Sequence, residues 1–148
     1  MAVFPDSSPN SKPLRIFVVE DHEDTAKYLC LYLELLGHST ACAGTMSQAL
    51  KKLPRVGCDV LLCDISLPDG NGWELLPLID ARLPQPTYAI AISALVGEPA
   101  RATSKKFGFR HHLDKPFQPA ELVALLDDAA NALASLSHDG PPPLHSLH

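Results

Sequence analysis

Asp64 closes the aliphatic run Val60-Leu61-Leu62-Cys63, and the turn-rich segment Leu67-Pro68-Asp69-Gly70-Asn71-Gly72 follows it. A carboxylate at the C-terminal tip of a buried strand is costly unless it meets water, a metal or a cation. Three other parts of the chain offer that company. Glu20-Asp21 closes the apolar run Ile16-Phe17-Val18-Val19, Ser93 closes Tyr88-Ala89-Ile90-Ala91-Ile92, and Lys115 precedes Pro116 after His111-His112-Leu113. Three carboxylates beside one ammonium make a negative cluster of hard oxygen donors. Each polar group stands at the end of a strand, the edge of a parallel α/β sheet where ligand sites collect.

The elements that must position these groups alternate along the chain. Residues 1–13, with Pro5, Pro9, Pro13 and several serines, read as a flexible lead-in. A strand over Arg15 to Glu20 precedes a helix from about Asp24 to Leu36, whose Ala26, Leu29, Leu33 and Leu36 fall on one face before Gly37. A short strand, Ser39 to Ala43, leads to a second helix opened by the capping-box pattern Thr45-Met46-Ser47-Gln48 and expected to stop at Leu53, before Pro54. Strands over Val60–Asp64, Tyr88–Ser93 and His111–Leu113 then alternate with helices near Trp73–Ile79 and Pro99–Lys106. The last helix opens at Pro119 and carries the apolar stripe Leu122, Leu125, Leu126, Ala129 and Leu133. Five βα units with short connections predict a parallel sheet covered on both faces by helices. Residues 137–148, with three consecutive prolines, read as an extended tail.

Taken in order, these residues resemble the receiver domain of two-component response regulators, over about Leu14 to Leu136. The resemblance rests on the acidic pair, Asp64, the Leu-Pro-Asp-Gly-Asn-Gly loop, Ser93-Ala94 and Asp114-Lys115-Pro116-Phe117. The spacings agree as well: 43 positions from Asp21 to Asp64, 29 from Asp64 to Ser93 and 22 from Ser93 to Lys115. It implies a flavodoxin-like (βα)5 fold, a doubly wound five-stranded parallel sheet, with residues 14–136 as the receiver.

The resemblance also implies a chemistry. A carboxylate can attack a phosphoryl group and form an acyl phosphate, which makes Asp64 the phosphoacceptor. Mg²⁺ suits the oxygen donors and keeps several waters. Asp21 and Asp64 would ligate it directly, the Ser66 backbone carbonyl would be a third ligand, and Glu20, where the family often has Asp, would act through water. Lys115 and the Ser93 hydroxyl would each hold a phosphoryl oxygen, and Ala94 would leave the phosphate room. The resemblance further implies a cis Lys115-Pro116 peptide. His112 stands where the family usually has Tyr or Phe, an aromatic that turns inward as Ser93 moves toward the phosphate. Its smaller, more polar ring costs more to bury, so a switch role for His112 and a plain solvent-facing strand residue both stay open. His22 reads as a loop residue, and the spacing of His145 and His148 makes no metal site.

The remaining features narrow the function. At 148 residues and 46% hydrophobic content the chain suits one ordinary globular domain. Its net charge of −5, without a basic stripe, argues against nucleic acid as a partner. No apolar run approaches the roughly 20 residues that span a bilayer, and the start lacks signal-peptide character, so a cytoplasmic protein is expected. Cys30, Cys42, Cys58 and Cys63 lack C-x-x-C spacing and read as reduced, packed thiols. The expected partners are a histidine kinase or phosphotransfer protein and an unidentified downstream protein. A homodimer is left open by Arg101, Lys105 and Lys106 near the fourth helix and by Glu121, Asp127 and Asp128 on the fifth. No DNA-binding output domain is expected, and no enzymatic activity beyond self-catalysed phosphoryl uptake and hydrolysis. Two alternatives compete: a non-switching receiver that serves as a scaffold, and an aspartate-nucleophile phosphatase of the haloacid dehalogenase type. The second needs an acid two residues after the nucleophile, where this chain has Ser66.

Overall fold

The computed structural model describes residues 13–95 and 97–138. The expected lead-in, apart from Pro13, and the tail after His138 lie outside the described residues. Twelve elements follow in chain order: β1 (Arg15–Val19), α1 (Glu23–Leu35), β2 (Ser39–Ala43), α2 (Met46–Val56), β3 (Val60–Asp64), β4 (Ser66–Leu67), β5 (Gly70–Asn71), α3 (Gly72–Asp80), β6 (Tyr88–Ser93), α4 (Glu98–Lys106), β7 (His111–Asp114) and α5 (Pro119–His138). The main sheet runs β2-β1-β3-β6-β7, all parallel, as the alternating pattern predicts.

Side chains of a strand alternate between faces, and the apolar runs use both. Phe17, Val19, Leu61, Cys63, Ala89 and Ala91 pack with Leu53, Leu75, Leu76 and Ile79 on one face. Ile16, Val18, Val60, Leu62, Ile90 and Ile92 pack with Leu29, Leu33, Leu122 and Leu126 on the other. Each fully buried Leu or Ile contributes about 1.5–3 kcal/mol relative to exposure, so the central strands β1, β3 and β6 anchor the polar residues at their tips.

Two local features depart from the sequence reading. Helix α2 does not stop before Pro54 but continues to Val56. Proline deprives Leu50 of a helical donor, yet it falls in the last turn, beside the fully buried Leu53. Gly57, at φ 73°, ends the helix and donates its N–H to Leu53 O at 2.7 Å. The segment after Asp64 is a small antiparallel hairpin in which Ser66 pairs with Asn71 and Leu67 with Gly70. At its tip, a Cβ on Gly70 would come within 2.6 Å of Met46 Sδ, at a φ of 151° that favours glycine.

Candidate phosphoryl-acceptor site

Strand order places β1 and β3 side by side, with β2 on one flank and β6 on the other. The order in which the chain adds strands reverses between β1 and β3, first outward to β2 and then to β3, β6 and β7 on the other side. Ligands bind beyond the carboxyl ends at such a point. Glu20 and Asp21 follow β1 there, Asp64 ends β3, and Lys115 follows β7. One carboxylate oxygen from each of Glu20, Asp21 and Asp64 lies within 4.8 Å of the others. Glu20 and Asp64 are buried, at 3% and 5% exposure, whereas Asp21 is exposed.

Lys115 ties the two buried acids together. Its Nζ donates to Asp64 Oδ2 at 2.8 Å and to Glu20 Oε1 at 2.9 Å. Backbone donors complete the set: Ser66 N–H to Asp64 Oδ1 at 2.9 Å, and His22 N–H to Glu20 Oε2 at 3.1 Å. Burial pushes the Glu20 carboxyl up, against the pull of Lys115 and of the His22 N–H. Burial also works to lower Lys115, but its bonds to Asp64 and Glu20 outweigh this and raise it. An ammonium shared by two carboxylates neutralises only one of them, and repulsion from Asp64 adds a smaller upward push to the effect of burial on Glu20. Such a set of hard oxygens with excess negative charge fits a divalent cation of the Mg²⁺ type.

These groups open on a cavity of about 420 Å³ that Glu20, Asp21, Asp64, Ser66, Ala94 and Lys115 help to line. Ser93 stands apart from them. It is fully buried, and its hydroxyl accepts the Leu95 N–H at 2.8 Å rather than lining the cavity. The Lys115-Pro116 peptide is cis, as the resemblance implies. His22 is the cap of α1, its Nδ1 accepting the Thr25 N–H at 3.3 Å. The His112 side chain is not solvent-facing: it is 5% exposed and bonded to Ser104.

Asp69, absent from the sequence-based set of site residues, fixes the loop that carries Ser66. Its two oxygens accept the Met46 and Ser47 N–H groups at 2.8 and 3.0 Å, capping α2 from outside. Those bonds hold the Asp69 carboxyl below its ordinary range. No sequence signal marked it, since its partners Met46 and Ser47 lie on another element. Gly72 fits as closely, because a Cβ there would lie 2.3 Å from the Asp64 carbonyl oxygen.

Residues 16–127 match the response regulator receiver domain. The chain belongs to that family. It is therefore a receiver of the two-component type, and its Glu20, Asp21 and Asp64 cluster resembles the Mg²⁺ site of such receivers. Among curated proteins it is 34% identical over 113 residues to an uncharacterized 14.6 kDa protein of Leptolyngbya boryana, covering 75% of this chain and 86% of that one. It is 30% identical over 118 residues to the transcriptional regulatory protein TrcR of Mycobacterium tuberculosis, covering 79% of this receiver but only 45% of TrcR. Among solved structures, the non-phosphorylated HemR receiver domain from Leptospira biflexa superposes with a TM-score of 0.72 at 28% identity, over 80% of this chain and 94% of that one. Receivers work with histidine kinases or phosphotransfer proteins. No helix among the described residues is long and apolar enough to cross a membrane.

Proposed function

We propose that this receiver accepts a phosphoryl group on Asp64 from a phosphohistidine donor, with Mg²⁺, and signals by protein contact. The observation that carries the reading is the convergence of Lys115, Glu20 and Asp64 in the acidic cavity. One Asp64 oxygen attacks phosphorus, the P–N bond of the donor breaks, and the imidazole leaves with the electron pair and takes up a proton. The acyl phosphate is later hydrolysed by water to carboxylate and inorganic phosphate. Asp21 and Asp64, with the Ser66 carbonyl, would hold the cation directly and Glu20 through water. The cation supplies charge neutralisation for the phosphoryl oxygens. Lys115 holds one of those oxygens, and Ser93 donates to another after its hydroxyl turns from Leu95.

The donor's approach is supported by a neighbouring apolar groove of about 530 Å³, which shares Lys115 and Ala94 with the acidic cavity. Tyr28 and Tyr32 of α1 and Phe117 line it, and Tyr28 and Leu31 are 63% and 62% exposed. A helix presenting its phosphohistidine would cover this face. A hydrolase reading is unsupported, since the position two residues beyond Asp64 offers the Ser66 hydroxyl and no acid.

Intact-mass spectrometry after incubation with acetyl phosphate and Mg²⁺ tests the proposal. One phosphoryl adduct is expected, labile to alkali and absent from Asp64→Asn. Unlabelled wild type would leave the chain a non-switching receiver, and equal labelling of Asp64→Asn would move the acceptor elsewhere.

A further inference from the structure

Two of the four cysteines face each other at the edge of the sheet, far along the chain from the acidic cavity. Strand register fixes one of them. In the parallel pair of β1 and β2, Ile16 is partnered by Thr40 and Val18 by Cys42. Paired residues share a face of the sheet. Ile16 and Val18 pack with Leu29 and Leu33 of α1, so Thr40 and Cys42 stand on the α1 face, while Ala41 between them packs on the other. The helix fixes the second cysteine. Cys30 is partly buried against the same cluster. Helical residues turn by about 100° each, which puts Cys30 and Glu34 on the flank of the Leu29–Leu33 stripe away from Tyr28 and Tyr32.

That flank already makes one contact with β2, since the Thr40 hydroxyl donates to Glu34 Oε2 at 2.5 Å. Helix α1 crosses back between two parallel strands and therefore runs against β2. Four helical residues rise about 6 Å, and two strand residues advance about 6.6 Å. The step from Glu34 back to Cys30 thus matches the step from Thr40 on to Cys42. Beside the rung made by Glu34 and Thr40, the next rung consists of two free thiols. As the edge strand, β2 is held on one side only, by β1, and can settle toward the helix.

The other two thiols are closed to chemistry. Cys63 is fully buried, which pushes its thiol far up, and burial pushes Cys58 up to about 12. Burial raises Cys30 as well, against the pull of the Thr40 hydroxyl, and the neighbouring Cys42 thiol adds to the rise. Cys42 is exposed. Thiol exchange needs an accessible thiolate as attacker, so Cys42 attacks first and the half-buried Cys30 resolves.

We propose that Cys30 and Cys42 form a reversible disulfide that ties α1 to the edge strand, closed by a small disulfide of the glutathione class. The Cys42 thiolate attacks one sulfur of glutathione disulfide, the S–S bond breaks, and one glutathione leaves as thiolate. The Cys30 thiol gives up its proton and its sulfur attacks that of Cys42, displacing the second glutathione. Both protein thiols are oxidised, and the two electrons and two protons end on the two glutathione thiols. The crosslink lands one residue from Ala43, whose carbonyl accepts the Glu20 N–H at 3.0 Å. Oxidation thereby stiffens the strand end that seats the first acid of the cluster.

The full chain, reduced and then equilibrated in glutathione buffers of graded redox ratio, tests this by intact mass and by peptide mapping without reductant. Wild type should lose two hydrogens, retain no glutathione and yield one linked peptide pair, Cys30 to Cys42, that dithiothreitol reopens. Cys30→Ser should instead keep one glutathione on Cys42 for want of the resolving thiol, and Cys42→Ser should stay unmodified. Oxidised wild type should melt about 5–10 °C above the reduced form, because the crosslink restrains the unfolded chain. An unreacted wild type, glutathione retained on its Cys42, or a link to Cys58 or Cys63 would each overturn the proposal. So would a link between two chains, or a melting point lowered by closure.

Discussion

Lys115 and Asp64, 51 positions apart, meet at 2.8 Å between Nζ and Oδ2 at the carboxyl end of the sheet. Neither group would be stable there alone, since a buried charge without a partner is strongly penalised. The same ammonium reaches Glu20 at 2.9 Å, so one cation braces the ends of three strands.

Lys115→Met should therefore destabilise the metal-free protein by about 2 kcal/mol, the scale of a hydrogen bond to a charged group. Added Mg²⁺ should restore part of that loss by taking over the charge. Because the folded pKa of Lys115 is raised, its contribution is fully present below the ordinary lysine range and is lost as pH rises through the raised value. Urea unfolding of both proteins, with and without Mg²⁺ and up to alkaline pH, measures this. Equal stability of the two at neutral pH would remove the bracing role.

The three carboxylates should separate by function. Asp21→Ala should abolish metal-dependent phosphorylation, because the exposed Asp21 is the expected direct ligand with no Lys115 bond to satisfy. Glu20→Ala should impair labelling less, since the role proposed for it is through water. Acetyl phosphate labelling across a range of Mg²⁺ concentrations separates them, and labelling of Asp21→Ala equal to wild type would sink the ligand assignment.

How far the sequence carried the reading depended on range. Glu20, Asp21, Asp64 and Lys115 were legible because each ends or follows an apolar run, and parallel strands bring such ends together. Asp69 was not legible as a cap, since its partners, Met46 and Ser47, sit on a different element and no periodicity marks a polar tertiary contact. The same holds for Trp73, Ser104 and His112, which come from three elements. The hairpin pairing Ser66 with Asn71 has strands of two residues, too short to show alternation. Pro54 misled for the opposite reason: a strong local stop signal was overridden by the burial of Leu53 on the same turn.

Asp69→Ala should lower the thermal midpoint and loosen the Ser66 loop, because Met46 and Ser47 lose their acceptors. The sign with pH follows from its depressed carboxyl. A group with a lowered folded pKa contributes stability above the ordinary carboxylate range, and that contribution is lost as pH falls through the lowered value. The gap between wild type and Asp69→Ala should thus be widest near neutral pH and close in acid. Melting curves at several pH values check it, and a gap that stays constant into acid would mean the carboxylate charge plays no part.

Gly72→Ala tests how tightly the end of β3 at Asp64 is seated on the start of α3. The added Cβ would lie 2.3 Å from the Asp64 carbonyl oxygen, 2.8 Å from Cys63 Sγ and 3.1 Å from Ile65 Cα. Two of these neighbours are backbone, and the Gly72 N–H is held by Ile65 O at 2.7 Å, so neither side yields without moving Asp64. Overpacking of this kind costs about 1–3 kcal/mol. The variant should unfold at lower denaturant and, because Asp64 must shift relative to Lys115 and Ser66, take up phosphoryl groups more slowly even where it is fully folded. Denaturation and acetyl phosphate labelling on the same preparation separate the two effects. Wild-type labelling in a destabilised variant would show that Gly72 serves packing alone, and wild-type stability would show that the loop after Asp64 moves aside at no cost.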